Sequence, residues 1–419
     1  MMYPVNEVDI AIIGGGHVGG TLAALLAASG SGWRVALLEA GSLQEQARQT
    51  ATDRRDARST ALARGTVEIF RELGLWPRLE ASATAIRKVH VSDRGHFPGT
   101  EILPPTDPAD SLGFVVENHW LGRVLSGHLL QQPGLDILEN TRVESATPDS
   151  RGMLLQLAGE QHSGPLHAAL TVIADGGNSP LRQSLGIDVR QQDYQQTAVI
   201  TNVTFSHPHR GTAWERFTDE GPMALLPLDG AEGKRAALIW TLPTAKAPEL
   251  LQMAPGDFLQ ALQARFGSRA GRFLAVGERV SFPLQLTVAR EQVRRGLVLA
   301  GNAAHFLHPV AGQGLNLAVR DCAMLVEVLN EARAAGKSPG EPGVLQSYQQ
   351  RQYADQLQTI AASDKLVKWF STRHPLYVTL RHLGFFSLAV LPGLQREFAA
   401  RAMGTAGRAP RWQDSARGG

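Results

Sequence analysis

Residues 8–39 read VDIAIIGGGHVGGTLAALLAASGSGWRVALLE. In this stretch an apolar run is followed by a segment of small residues and then by a second apolar run. Short apolar runs bounded by glycine are typical of strands buried in a parallel sheet, and the small-residue segment between them is typical of a helix packed on that sheet. The stretch therefore predicts a βαβ unit, with a strand over 8–13, a helix over 17–28 and a parallel strand over 34–39.

The turn of this unit carries the pattern G-x-G-x-x-G, formed by Gly14, Gly16 and Gly19. Glycine permits the tight turn, the close approach of the backbone to a pyrophosphate and the packing of helix on strand. Glu39 ends the second strand, where a carboxylate can accept hydrogen bonds from ribose hydroxyls. A glycine-rich turn alone would not explain this acid. The unit predicts an adenine dinucleotide site and leaves both NAD and FAD open.

A second glycine-rich stretch, residues 301–321, reads GNAAHFLHPVAGQGLNLAVRD and lies about 280 residues further along the chain. It follows the apolar run 296–300 and opens into a helical pattern. A helix start at 312–314 offers unpaired backbone N–H groups, which favour a negatively charged or carbonyl-bearing partner. The ring of a reduced flavin is one such partner. We therefore expect one cofactor to be held by both ends of the chain.

Composition describes a globular chain without a strong overall charge. The 419 residues are 43% hydrophobic, enough for one large or two to three ordinary domains. The net charge of +2 provides no field that would attract nucleic acid. Cys322 is the single cysteine, which excludes an internal disulfide and a C-x-x-C pair, and its apolar neighbours predict a packed thiol. The N-terminus lacks a secretory pattern, so a cytoplasmic location is expected.

No metal site is expected. His305 and His308 have the spacing of ligands on one helix, but Pro309 follows directly and no nearby Asp, Glu or Cys completes a set.

Beyond the βαβ unit, the pattern changes along the chain. Turn-separated β-rich runs over 194–242 predict a separate antiparallel sheet. Polar residues over 42–60 predict a loop. Helical spacing predicts helices over 60–73, 120–131, 248–266, 312–335 and 344–370.

Residues 171–182, TVIADGGNSPLR, form an apolar strand that ends in Asp-Gly, with a Ser and an Arg at fixed offsets. Together with the two glycine-rich stretches, this motif resembles the FAD-dependent aromatic hydroxylases, the p-hydroxybenzoate hydroxylase-like superfamily. Residues 55–62, 89–95 and 215–227 extend the likeness to the ubiquinone-biosynthesis branch and, within it, to the 2-polyprenyl-6-methoxyphenol hydroxylases. The resemblance covers about residues 8–400, and the stretch 301–321 is its most specific part.

The resemblance implies an α/β fold. Its FAD-binding domain would be Rossmann-like, of the glutathione reductase type, with an inserted antiparallel β-sheet substrate domain and C-terminal helices. The expected FAD-binding domain is discontinuous and comprises 1–75, 100–182 and 283–340. The expected substrate domain comprises 76–99 and 183–282, and the C-terminal helical region comprises 341–419.

The resemblance also assigns roles to residues. Asp175 and Gly176 would contribute to cofactor and reductant binding. The ribityl chain and flavin would be held by Gly301, Asn302, Gly312, Gln313, Gly314, Leu315 and Asn316. Arg58 would lie beside the flavin and its pyrophosphate, unless it is an ordinary solvated charge. His308 and Pro309 would form a rigid turn near the reactive face of the flavin, although each histidine side chain could equally have no chemical part.

Two positions depart from the family pattern. Asn302 stands where the wider superfamily has Asp, and it can still hydrogen-bond ribityl hydroxyls without a charge. Many relatives carry an Arg that reaches the cofactor where this chain has Asn118, with Arg123 one turn further on.

The implied reaction is the hydroxylation of a polyprenylated phenol in ubiquinone biosynthesis. NAD(P)H would reduce FAD, O2 would add at C4a, and the flavin hydroperoxide would pass an oxygen to the ring. Because the sequence has one dinucleotide signature, NAD(P)H would dock transiently. Two alternatives remain open: a flavin-dependent polyprenyl or isoprenoid reductase, and a non-catalytic flavoprotein subunit of a biosynthetic complex. A flavin halogenase is disfavoured because its W-x-W-x-I-P signature is absent.

The C-terminal residues 375–401 are apolar and flanked by arginines, a composition typical of an interfacial helix. A polyprenyl substrate resides in the bilayer, so we expect peripheral contact with the inner face of the membrane, or packing on the protein itself or on a partner of a ubiquinone-biosynthesis complex. The weakly charged part, 382–395, is too short to span a bilayer, which requires about 20 apolar residues.

Overall fold

Two large β-sheets organise the chain. The computed structural model describes residues 7–49, 58–94, 99–104, 110–307, 312–370, 403 and 410–412. The strands are β1 (Glu7–Ile13), β2 (Val35–Leu38), β3 (Ser59–Ala63), β4 (Thr84–Ile86), β5 (Lys88–Asp93), β6 (Thr100–Ile102), β7 (Gly113–Glu117), β8 (Leu135–Leu138), β9 (Thr141–Pro148), β10 (Met153–Gly159), β11 (Gly164–Ile173), β12 (Val189–Phe205), β13 (Thr212–Thr218), β14 (Gly221–Leu228), β15 (Arg235–Pro243), β16 (Phe273–Val276), β17 (Val280–Ala289), β18 (Val293–Arg294), β19 (Leu297–Leu299) and β20 (His305–Phe306). The helices are α1 (His17–Ser29), α2 (Leu43–Arg48), α3 (Arg64–Glu72), α4 (Trp76–Glu80), α5 (Asn118–Leu129), α6 (Pro180–Ser184), α7 (Ala247–Gln252), α8 (Pro255–Phe266), α9 (Gln313–Ala334) and α10 (Pro342–Phe370).

The first sheet has the order β18-β19-β11-β1-β2-β8, with β10 and β9 continuing from β11 as an antiparallel pair. Strands β19, β11, β1, β2 and β8 run parallel, so the predicted βαβ unit is confirmed. Alternate residues of β1 face opposite cores. Ile10 and Ile12 pack with the helices, including Leu25 of α1 and Leu325 of α9, whereas Ala11 and Ile13 pack toward the β10 side.

Local spacing misplaced three elements. The predicted loop 42–60 contains α2, because the Ser42 side chain accepts a hydrogen bond from the Glu45 backbone N–H and caps a helix. The predicted helix 60–73 begins as strand β3, which pairs with β7 before α3 starts. Pairing with a distant strand therefore overrides helical spacing. The predicted helix 248–266 is two helices, and Pro255 stands in the first turn of the second.

The second sheet has the order β20-β17-β12-β15-β14-β13-β5-β6, and β16 pairs with β12. All of its pairings are antiparallel except that of β13 with β5, which supports the predicted antiparallel sheet. The expected domain limits at 100 and 283 fall within this sheet, because β6 and β17 belong to it. The division into domains itself stays a prediction.

The two faces of the second sheet have different neighbours. Met223, Leu225 and Trp240 face α7 and α8 and are buried in one core. The opposite face, which we call the inner face, includes Phe217 and Leu226 and packs with Ala61 of β3 and Val115 of β7. An ion pair between Arg235 of β15 and Glu117 of β7, 3.1 Å long, also joins this face to β7. The inner face is therefore the one turned toward β3 and β7.

A buried carboxylate joins three elements behind the glycine-rich stretch 301–321, which we call the third motif after the turn at 14–19 and the Asp-Gly motif at 171–182. Asp321 of α9 is 2% exposed and lies 2.7 Å from the His305 ring nitrogen of β20. The Gln352 and Gln356 side chains of α10 donate to the same carboxylate, Gln356 at 3.1 Å. Buried carboxylates are tolerated when donors surround them. Asp321 thus holds β20 and α10 to α9.

Residues 371–402, which include the expected interfacial segment 375–401, lie outside the described residues. Beyond them, the structure describes position 403 and residues 410–412. Within the part that is described, no helix is both long and apolar enough to cross a membrane.

Replacing Asp321 by Ala leaves three interior donors without an acceptor. We expect the D321A change to lower the free energy of unfolding by roughly 2–4 kcal/mol, measured by urea denaturation of the FAD-loaded protein. Glu331→Gln is the matched control, because the Glu331 side chain is 52% exposed and pairs with Arg351 at the surface. Its effect should stay below about 1 kcal/mol. Equal effects of the two changes would contradict the role given to Asp321.

Candidate functional site

The first glycine turn is closed by contacts that leave no room for side chains. Gly14 has φ of +101°, and a Cβ there would lie 2.7 Å from the Ala174 carbonyl oxygen. A Cβ on Gly19 would collide with the Gly14 carbonyl oxygen. Around Gly16, in contrast, no protein atom lies within 4 Å of a Cβ position. Two glycines of the pattern therefore serve the packing of the turn, and Gly16 faces open space.

The Glu39 carboxylate is fixed beside this turn. One of its oxygens accepts a hydrogen bond from the Gly15 N–H at 2.6 Å, and the other accepts one from the Gly41 N–H at 2.8 Å. A recess of about 230 Å³, lined in part by Glu39, Ser42 and Gln46, opens next to it. The remaining lone pairs of the carboxylate are available to a ligand in this recess.

The Asp-Gly motif lies next to the first turn, because the Ala174 N–H donates to the Ile13 carbonyl across adjacent parallel strands. Asp175 accepts a 2.8 Å hydrogen bond from the Ser179 hydroxyl through one oxygen, and its other oxygen is buried without a partner in the described structure. Burial raises the pKa of Asp175. Gly176 has φ of +101° and open space beyond it. An orphaned buried oxygen fits a site completed by a ligand donor.

The third motif packs on both of the others. Gly301 has φ of +58°, and a Cβ there would lie 2.8 Å from a Val18 methyl group of α1. Arg182, 3% exposed, donates from its guanidinium to the Ala303 carbonyl at 3.0 Å. The structure thus brings the three motifs together at the carboxyl ends of β1, β11 and β19. Arg182 belongs to the Asp-Gly motif at 171–182, although the sequence predicts no role for it.

The two asparagines of the third motif differ in environment. Asn316 is buried and uses its full hydrogen-bonding capacity: its oxygen accepts from the Ala63 N–H and the Thr66 hydroxyl, and its nitrogen donates to the carbonyls of Ala61 and Gly312, all at 2.8 Å. Its side chain therefore positions β3 against the start of α9. Asn302 is exposed and has no hydrogen-bond partner in the described structure, so its amide is available to a ligand.

The start of α9 is open. Gly312 adopts a left-handed conformation as the residue preceding the helix, and a Cβ on Gly314 would meet no atom of the described residues beyond its chain neighbours and its own helix. Gln313 is half-buried, and Leu315 packs against the core under the first sheet. The sequence predicts that the flavin binds the backbone N–H groups of this first turn.

Arg58, Asn118 and Arg123 lie around the junction of β3 and α5. The Arg58 guanidinium lies 5.4 Å from the centre of the Phe282 ring on the inner face. The Asn118 side-chain oxygen accepts a 2.7 Å hydrogen bond from the Thr60 hydroxyl. The Asn118 backbone N–H donates to the Arg58 carbonyl. The Arg123 guanidinium lies over the Trp120 ring. Arg58, directly before β3, thus lies where β3 approaches the second sheet. Arg123 lies further along α5.

The expected turn at His308 and Pro309 lies outside the described residues. Of the two histidines considered as metal ligands, His305 is engaged by Asp321. The described ranges contain no cluster of three or more His, Cys, Asp or Glu side chains that could hold a metal ion.

The glycines of the first turn separate folding from cofactor binding. Gly19→Ala should prevent the turn from closing, which lowers the melting temperature of the cofactor-free protein and abolishes FAD retention. Gly16→Ala should leave that melting temperature unchanged and weaken FAD binding, because its methyl group enters only the open space. Gly343→Ala, at a site with no atom within 4 Å, is the control for both measurements. Unchanged FAD affinity in G16A would contradict the placement of the cofactor.

Asn302 provides a milder test of the third motif. Asn302→Ala should weaken FAD binding by about 2- to 10-fold, the value of one lost hydrogen bond, measured by titrating the cofactor-free protein with FAD. Asn302→Asp, which keeps an acceptor of the same shape, should bind FAD within about threefold of the original. If alanine and aspartate behave alike, the side chain does not contact the cofactor.

Comparison with known proteins agrees with this geometry. A family described as FAD binding domain matches residues 7–361. Ubiquinone hydroxylase UbiL of Rhodospirillum rubrum is 35% identical over 409 residues, covering 95% of this chain and 90% of that protein. The 3-demethoxyubiquinol 3-hydroxylase of Escherichia coli K12 is 32% identical, covering 94% of this chain and 98% of that protein.

A solved structure supports the fold. The p-nitrophenol 4-monooxygenase PnpA from Pseudomonas putida DLL-E4 superposes with a TM-score of 0.76 at 19% identity, covering 96% of this chain and 99% of that chain. Sequence match, fold and the convergence of the three motifs agree. The chain belongs to the FAD-binding aromatic hydroxylase family, in the branch that includes the hydroxylases of ubiquinone biosynthesis.

Proposed function

We propose that this protein is an FAD-dependent monooxygenase that hydroxylates the aromatic ring of a polyprenylated phenol in ubiquinone biosynthesis, with NAD(P)H and O2 as co-substrates. The observation that carries the proposal is the meeting of three motifs at one sheet edge, where one Asp175 oxygen and the Asn302 amide have no partner among the described residues. The family match supports FAD as the cofactor, and the two related hydroxylases of ubiquinone biosynthesis support the substrate class.

The residues of this edge fit FAD. Glu39 would bind the adenosine ribose, and the backbone of the turn at Gly16 would lie against the pyrophosphate. Asn302 and the first turn of α9 would bind the ribityl chain and the flavin ring. Bound FAD supplies the redox chemistry, which takes electrons from NAD(P)H and activates O2. The chain has one dinucleotide signature, so we place NAD(P)H only transiently against this site.

The protein's own task is to orient an apolar ring and to keep water away from it. The inner face of the second sheet suits this task, because Ala224, Ile239 and Phe282 on it are only partly covered by protein. Partly exposed apolar side chains in the middle of a sheet offer a surface on which an apolar ring can pack. The Arg58 guanidinium, 5.4 Å from the centre of the Phe282 ring, supports a substrate position on this surface beside the expected flavin.

The finer parts of the proposal concern location. A polyprenyl tail partitions into a bilayer, so contact of residues 375–401 with the membrane, or with a partner in a biosynthetic complex, would bring the enzyme to its substrate. This part rests on the composition of 375–401 alone.

The decisive experiment supplies the FAD-loaded protein with NADH or NADPH, a prenylated phenol in detergent and isotopically labelled O2. We expect NAD(P)H oxidation that the phenol stimulates, and a product that carries one labelled oxygen on the ring, detected by mass spectrometry. Gly19→Ala, which cannot form the cofactor turn, is the negative control.

The two alternatives give different results in the same experiment. A reductase would oxidise NAD(P)H without O2 and add hydrogen to the prenyl chain. A non-catalytic flavoprotein would retain FAD, and the phenol would not stimulate NAD(P)H oxidation. Either result would overturn the hydroxylase proposal.

A further inference from the structure

The inner face carries a carboxylate, Glu215, among its small and apolar residues. Glu215 lies in β13, opposite Val91 of β5 and Ala224 of β14. Ala224 lies opposite Ile239 of β15, which in turn lies opposite Ile200 of β12. Residues in register across a sheet share a face. Glu215 therefore stands in a row whose other members are small or apolar.

Three contacts show which way this row faces. Phe217 and Leu226, two residues from Glu215 and Ala224, pack with Ala61 and Val115 across the inner face. Ala61 is also the neighbour that a Cβ on Gly312 would meet, at 3.3 Å. Ala61 thus links the inner face to the start of α9, where the flavin ring is expected. The Arg58 guanidinium lies over the ring of Phe282, which is on the same face.

Glu215 has no hydrogen-bond or ion-pair partner among the residues that the structure describes. Its side chain is neither fully buried nor freely exposed, and burial raises its pKa to about 7. A desolvated carboxylate without a partner is costly to a fold. A donor group on a ligand bound to the inner face would offset that cost.

We propose that Glu215 binds the phenolic hydroxyl of the substrate and accepts its proton. This inference rests on the proposed function and names the substrate class more closely: a ring with a free hydroxyl, as opposed to its ether. The phenolic O–H bond breaks, the proton moves to a Glu215 carboxylate oxygen, and both bonding electrons stay on the phenolate oxygen. The electron-rich ring that results is the form that oxygen transfer requires.

Other charged groups lie on this face or on the elements packed against it. They are Asp93, Arg235, Glu117, Arg58, Asp364 and Lys365. Arg235 pairs with Glu117, and Tyr194 donates to Asp364. The Glu215 row itself contains no second ionisable group. Glu215 is thus the group in this row that can respond to pH.

The test uses a pair of ligands, 2-prenylphenol and its methyl ether, and measures the dissociation constant of each for the FAD-loaded protein by calorimetry. The ether lacks the donor but keeps the shape. At pH 8, where Glu215 is ionised, we expect the unmodified protein to prefer the phenol by about 10- to 100-fold. At pH 6 most of the carboxyl is protonated, so the preference should fall by about tenfold. Because the ether offers no donor to the carboxylate, its binding should not strengthen from pH 6 to pH 8.

Glu215→Gln keeps the shape and removes the titration, so the preference for phenol should become smaller and independent of pH. Glu215→Ala should remove it. Glu278→Gln is the matched control, since Glu278 is an exposed carboxylate in the connection between β16 and β17 of the same sheet. It should behave like the unmodified protein. The flavin spectrum of each variant verifies that the cofactor site is intact.

Failure of this inference differs from failure of the proposed function. If E215Q keeps the full, pH-dependent preference, or if the unmodified protein shows none at pH 8, the role of Glu215 is overturned even when labelled product forms. If the unmodified protein discriminates the two ligands but makes no labelled product, the hydroxylase function fails and the assignment of Glu215 stands.

Discussion

The rest of the site depends on one steric constraint, the contact distance at the carboxyl edge of the first sheet. The ends of β1, β11 and β19 must approach one another so closely that Gly14 meets the Ala174 carbonyl and Gly301 meets Val18. Any side chain at these glycines would push the loops apart. Because the strands are adjacent and parallel, the three loops emerge at one edge and form a single cradle. The cradle is therefore a consequence of backbone packing, and polar groups such as Asp175 and Asn302 add to it.

A second set of interactions places the cradle against the inner face. Asn316 hydrogen-bonds residues of β3 and the turn before α9, and β3 lies on the inner face through Ala61. Behind this junction, Asp321 holds α10 and β20 to α9. Buried polar networks of this kind specify one arrangement, because each partner is costly to leave unpaired. The cradle and the inner face are thus held relative to each other by side chains that are hydrogen-bonded to other parts of the protein.

Much of the cradle could be predicted because its signals are local. The βαβ unit, the Asp-Gly turn and the glycine-rich start of α9 are each written in a few consecutive residues. Predictions that failed depended on distant partners: residues 60–63 form a strand because β7 lies beside them, not because of their own spacing. The role of Asn316 in holding the cofactor stays a prediction, and the structure adds that its side chain makes four hydrogen bonds to protein groups. Nothing in its neighbouring residues reveals that.

The sequence by itself determined the fold class, because glycine patterns and apolar periodicity depend only on nearby residues. The cofactor and the family followed from its resemblance to the FAD-dependent aromatic hydroxylases. Only the tertiary structure decided which face of the second sheet turns to the cradle, since alternation along a strand is symmetric between its two faces. It also decided which carboxylates remain unpaired. Glu215 and Glu117 are both acids at strand positions, yet Glu117 meets Arg235 across the inner face and Glu215 stands among apolar neighbours. That difference arises from pairing between strands far apart in the chain.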